Sequence, residues 1–147
     1  RGAFSRSLAT RGAKGIRMLF QHDPAEPIGT WEELIEDARG LRVRGRLALG
    51  SAKAREVHAL MRSGALDGLS IGFRTARART DPRTGIRHIV EADLWEISVV
   101  TFPMLPDARV DQVKGRRKTG LKLAHAIDIA AALRRATRLM RERNRKA

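Results

Sequence analysis

Gly68-Leu69-Ser70-Ile71-Gly72-Phe73-Arg74-Thr75-Ala76-Arg77-Ala78-Arg79-Thr80 decides how this chain is built. Its first five residues match G-x-S-x-G letter for letter, the pattern of a nucleophile elbow, in which a Ser sits on a sharp turn between strand and helix. The residues that follow do not continue as a helix. Phe73 to Thr80 alternates as an extended strand does, and the elbow would also require an acid and then a His further along the chain. The stretch therefore predicts a strand over Leu69 to Thr80 with Ser70 near its start. Two readings of Ser70 remain open on spacing alone: a nucleophile, or an ordinary strand start whose glycines permit close backbone packing.

Working outward, Ile86 to Phe102 is a second strand, joined to the first around Asp81-Pro82-Arg83-Thr84-Gly85 and ended by Pro103 and Pro106. It is long enough to need a bulge or bend. Upstream, Ser51 caps a helix carrying Ala54, Val57, Leu60 and Met61 on one stripe, with Gly64 just past its end. Before it, Ile28 to Glu36 and Leu41 to Leu49 form a hairpin across Asp37 to Gly40. Ile16 to Gln21 reads as a strand with Ile16, Met18 and Phe20 on one face; His22 ends it, and Pro24 and Pro27 bracket a turn. Ala3 to Arg11 is a short helix stopped by Gly12. The pattern is α+β, a strand-rich barrel or sheet with helices attached rather than alternating βα units.

The chain has 147 residues, 42% of them hydrophobic, which is one domain's length and enough apolar material for a core. The absence of Cys excludes a disulfide framework, a thiolate metal site and a cysteine nucleophile. No apolar run approaches a membrane span, and no signal peptide opens the chain. The formal charge of +14 is unevenly placed: residues 114–147 hold 12 Lys and Arg against 2 acids, whereas residues 1–113 hold 18 against 14. Basic clusters release counterions from phosphates, so nucleic acid is a possible partner of the tail. The first 113 residues lack the interleaved basic and aromatic residues of a base-stacking platform. Residues 115–120 read as a linker, and Leu121 to about Arg143 as a basic amphipathic helix, or simply a solvated one.

Four histidines are available as a base. His58 falls on the Ser51-capped helix and His125 in the tail, and both read as bystanders. His22, at a junction of strand and turn, is placed to point into a cleft, against the alternative of a solvated loop His. In Leu94-Trp95-Glu96-Ile97-Ser98-Val99-Val100-Thr101-Phe102 one acid interrupts an apolar strand. A buried carboxylate is costly unless it is paired or hydrogen-bonded, so Glu96 should have a partner. That partner is either structural, such as an Arg on a neighbouring strand, or an imidazole that Glu96 orients.

Phe20-Gln21-His22-Asp23-Pro24 with Pro27-Ile28-Gly29, then Gly68 to Phe73, then Trp95 to Pro103, in that order, resemble the tailed-bacteriophage prohead protease family over about Gly2 to Val110. That family is similar in fold to the herpesvirus maturation protease, so the resemblance implies a mostly antiparallel β-barrel ringed by helices, with its Ser on a strand rather than an elbow. It implies Ser70 as nucleophile and His22 as general base. Glu96 is the favoured third member, with Glu91 and His88 as rivals because the herpesvirus relatives use a second His. His88 and Glu96 are eight residues apart, roughly 26 Å in an unbent strand, so both cannot reach His22. The oxyanion hole falls to backbone N–H groups, and no metal or cofactor is needed.

The substrates implied are the scaffolding segment of the capsid protein and the protease itself, oligomeric inside an assembling prohead in the bacterial cytoplasm. Residues 1–113 would be the protease domain and 114–147 a docking or packaging tail. Relatives carry further strand sequence before the Gly2-Ala3-Phe4 segment, so the chain is expected to be a fragment. A noncatalytic, basic capsid-assembly or nucleic-acid-binding protein on the same fold is the alternative.

Overall fold

The computed structural model describes residues 2–114; the expected basic C-terminal helix and His125 lie outside them. The elements in chain order are α1 (Ser5–Arg11), a single 3₁₀ turn (Ala13–Gly15), β1 (Arg17–Phe20), β2 (Asp23–Glu36), β3 (Leu41–Leu47), α2 (Ala52–Ser63), β4 (Gly68–Thr80) and β5 (Arg87–Val100). The strands form one mixed sheet in the order β3-β2-β1-β5-β4, with β1 and β5 parallel and every other pair antiparallel. The expected barrel is not closed. Closure would require β3 and β4 to pair, and they stand at opposite edges of this order.

The local signals explain the helices. Ser51 accepts a hydrogen bond from the Ala54 N–H at 3.1 Å, a cap that contributes about 1 kcal/mol. At the other end Gly64 takes a left-handed φ of 76°, and its N–H reaches back to the carbonyls of Leu60 and Met61. Helix α1 has no side-chain cap of its own. Instead the Glu36 carboxylate, at the end of β2, accepts the backbone N–H groups of Ala3 and Phe4, each at 3.0 Å. Because β1 is only four residues long, β5 has no strand partner beside Leu94 and Ala92 on that side. Helix α1 and the residues leading into it fill the gap: Leu94 N–H donates to Ser7 Oγ, and Ala92 N–H donates to the carbonyl of Ala3.

One expectation about β2 is corrected. Pro24 and Pro27 do not bracket a turn; both lie inside β2, which begins at Asp23. The sheet tolerates them because the pairing slips there. Leu19 faces Pro27 while Phe20 faces Asp23, so residues 24–26 bulge out, and β3 first pairs with β2 only at Gly29. The turn is the two-residue link Gln21-His22.

The sheet has two faces of different character. Met18 and Phe20 of β1, Ile97 and Val99 of β5, and Leu69 and Ile71 of β4 are register neighbours on one face. They join Ile28, Trp31, Ala54 and Val57 in the apolar core. Burying each large aliphatic side chain there stabilises the fold by about 1.5–3 kcal/mol. The opposite face carries Leu19, Ser98, Glu96, Ser70 and Gly72. The bulge expected in β5 falls at Trp95. Gly72 faces Glu96 and Phe73 faces Leu94, which leaves Trp95 unpaired and exposed and shifts the strand's phase, so that Leu94 and Ala92 return to the core.

Candidate active site

Gln21 and His22 form the tight hairpin between β1 and β2, and both have positive φ, 56° and 62°. This is the backbone of a type I′ turn, which normally takes Asn-Gly because side chains with a Cβ cost about 1–2 kcal/mol each in that region. Here β5 holds the strained turn from outside. Gln21 N–H donates to the Val99 carbonyl at 3.0 Å, the Gln21 amide meets Thr101 Oγ1 at 2.6 Å, and His22 N–H donates to Ser98 Oγ at 3.1 Å. The imidazole is thereby turned back over the polar face of β5.

There His22 Nδ1 lies 2.6 Å from Glu96 Oε1. The second carboxylate oxygen accepts the Ser98 hydroxyl, also at 2.6 Å. Glu96 is 9% exposed, so burial does create the need for partners, and the partners are an imidazole and a hydroxyl rather than an Arg. An ionised carboxylate can only accept, so in the neutral imidazole this contact favours the proton on Nδ1 and leaves the lone pair on Nε2. That is the tautomer a general base requires.

Ser70 enters from β4. It is the register partner of Ser98, and Gly72, two residues on, is the partner of Glu96. Directly opposed residues of an antiparallel pair project to the same side with Cβ atoms roughly 4.5–5.5 Å apart, which sets Ser70 beside the His22–Glu96 pair. Its position follows from register rather than from a hydrogen bond to the imidazole. Ser70 sits within a regular strand, not at an elbow. The glycines flanking it have steric reasons: a Cβ on Gly72 would collide with the Glu96 carboxylate, and one on Gly68 with the Val100 carbonyl and the Pro103 ring.

The rivals for the third position lie elsewhere. Glu91 pairs with Arg6 at 3.2 Å and Arg77 at 3.8 Å, and His88 faces Arg79 at the far end of the β4–β5 ribbon. His58 is a half-buried residue of α2. Two contributors escaped the sequence reading. Ser98 was visible as the residue two places after Glu96, hence on the same strand face, and Gln21 carried no signal beyond adjacency to His22. Among the described residues no cluster of His, Asp and Glu could hold a metal ion, and no helix is long and apolar enough to cross a membrane.

Comparison with known proteins bears on this arrangement. Residues 1–122 match the family described as caudovirus prohead serine protease. The chain is 34% identical to the prohead protease of Enterobacteria phage HK97, over 93% of this chain and 68% of that protein. It is also 34% identical to the prohead protease of Escherichia phage T5, over 71% of this chain but only 49% of the relative. A capsid polyprotein of Pseudomonas phage PAJU2 is 29% identical over 80% of this chain, a stretch that makes up 19% of the polyprotein. No solved structure matches at a significant level. With a family match that covers most of its length and includes all three polar segments of the site, the chain belongs to the caudovirus prohead serine protease family.

Proposed function

We propose that the chain is a serine endopeptidase of capsid maturation in which Ser70 is the nucleophile, His22 the general base and Glu96 the acid that orients His22. One observation carries this reading: a buried carboxylate contacts the Nδ1 of an imidazole on the strand face where a serine stands one register step away. His22 Nε2 takes the Ser70 hydroxyl proton as Oγ attacks a peptide carbonyl, and the imidazolium formed is stabilised by Glu96. The protonated His22 then gives its proton to the leaving amine. Water, deprotonated by the same imidazole, hydrolyses the acyl-enzyme and restores Ser70.

The substrates are the scaffolding segment of the capsid protein and the protease itself, met inside the prohead. The names of the relatives, two prohead proteases and a capsid polyprotein, support a capsid protein as partner. Residues 114–147 hold most of the net charge and none of the proposed catalytic groups, which suits a docking tail attracted to acidic scaffold or to nucleic acid. Ser70→Ala tests the assignment. Replacing a hydroxyl by hydrogen barely changes packing volume, so the variant should fold as the parent does and lose scaffold cleavage by several orders of magnitude. Cleavage at the parental rate would refute it.

A further inference from the structure

We propose that Ser98 is a positioning residue of this site, a fourth polar member that aims both Glu96 and His22. It is fully enclosed, 0% exposed, within a strand otherwise lined by Ile97, Val99 and Val100. An apolar residue or alanine would be the ordinary occupant of such a position, because a buried hydroxyl is costly unless its hydrogen-bonding capacity is used. Ser98 uses it in two directions, and the chemistry of its partners fixes each one. Glu96 Oε2 can only accept, so the hydroxyl proton points to the carboxylate; the His22 backbone N–H can only donate, so it occupies an oxygen lone pair.

The consequence is a closed ring of contacts: His22 N–H to Ser98, Ser98 to Glu96 Oε2, and Glu96 Oε1 to the His22 imidazole. Without Ser98 the carboxylate retains one of its two side-chain partners and can rotate. The left-handed backbone of His22 also loses the hydrogen bond on its own N–H. The same ring separates the two serines that face each other across β4 and β5. Ser98 has its proton committed to Glu96, whereas Ser70 does not, so only Ser70 is free to donate to Nε2.

This role rests on the Ser70–His22–Glu96 assignment, and the test separates the two. The full chain is labelled with a fluorophosphonate, which requires an activated serine, and the maximal labelling rate is resolved from probe affinity. Ser98→Ala should lower the maximal rate about 10- to 100-fold, the scale of loss from misplacing a catalytic group by about 1 Å, with probe affinity unchanged. The ¹⁵N shifts of the His22 ring should change from one tautomer to a mixture. Should Ser98→Ala unfold because the Glu96 charge is left short of a partner, the Glu96→Gln background removes that charge. There, Ser98→Ala should cost clearly less than it costs in the parent, since the part of its effect that passes through Glu96 is already gone and only the contact with the His22 N–H is left to lose. A folded Ser98→Ala with parental rate and tautomer, or a loss in the Glu96→Gln background as large as in the parent, overturns the role of Ser98. A parent chain that is not labelled at Ser70 overturns the underlying assignment instead.

Discussion

Strand β5 carries two carboxylates three residues apart that are stabilised in opposite ways. Asp93 sits at the surface and is held by cations and donors. Arg11 reaches it twice at 3.1 Å, the Trp95 ring nitrogen donates at 2.8 Å, and Arg74 stands 3.9 Å away. Glu96 is buried and, among the described residues, meets no guanidinium; its partners are a hydroxyl and an imidazole. Solvent screens the Asp93 cluster, so each of its ion pairs is weak and tolerates loss. The Glu96 contacts are few, short and directed, and they determine which ring nitrogen holds a proton. The Trp95 bulge makes both environments possible on one strand by resetting its phase between them.

The largest expected contrast is chemical. Glu96→Gln should reduce turnover by up to about 10⁴-fold with little change in substrate binding, because an amide can donate as well as accept and no longer enforces one tautomer. Asp93→Asn, Glu91→Gln and His88→Ala should each leave turnover within about twofold of the parent, measured on the same scaffold substrate. If Glu91→Gln or His88→Ala silences the enzyme while Glu96→Gln does not, the comparison is reversed and the third catalytic position moves.

A smaller effect is expected from Gly72→Ala. The added methyl would occupy the space of the Glu96 carboxylate, so labelling by fluorophosphonate should fall about 100-fold, and the melting temperature should drop with it because the displaced buried charge loses its partners. Parental labelling would mean that Glu96 can move without consequence.

The smallest effect concerns acid. The Arg11 guanidinium, and then the Trp95 N–H, hold the Asp93 carboxyl below the usual carboxylate range. The backbone N–H groups of Arg39 and Gly40 do the same for Asp37, and the Thr84 hydroxyl followed by the Arg83 N–H for Asp81. A carboxyl depressed in the folded state stabilises the fold above its unfolded value and ceases to do so as pH falls through the folded one. Stability measured by denaturant should therefore hold from pH 7 down to about 4 on account of these three groups and decline below that. Asp93→Asn should remove part of the decline, and an unchanged acid profile would show that the exposed cluster contributes nothing.

How much of this was legible beforehand follows from which interactions are local. The Ser51 and Gly64 caps, the Asp37–Gly40 hairpin and the β4–β5 ribbon are written in short-range residue chemistry and fall close to their expected places. The need of Glu96 for a partner was legible from one charge in an apolar run. What the partner is depends on the Gln21-His22 turn, whose positive φ values no propensity would assign to those residues. The prolines of β2 misled for the same reason, since the pairing slip that admits them is a property of two strands, not one. Closure of the sheet is likewise a long-range matter, and there the expectation of a barrel is not met, since β3 and β4 stand at opposite edges.

The most direct measurement is peptide mapping of the full chain after fluorophosphonate labelling, run beside His22→Ala. A serine activated by an oriented imidazole should give one adduct, on Ser70, and its formation should collapse in His22→Ala. An adduct on Ser98, no adduct at all, or labelling of Ser70 at the same rate without His22 would contradict the account.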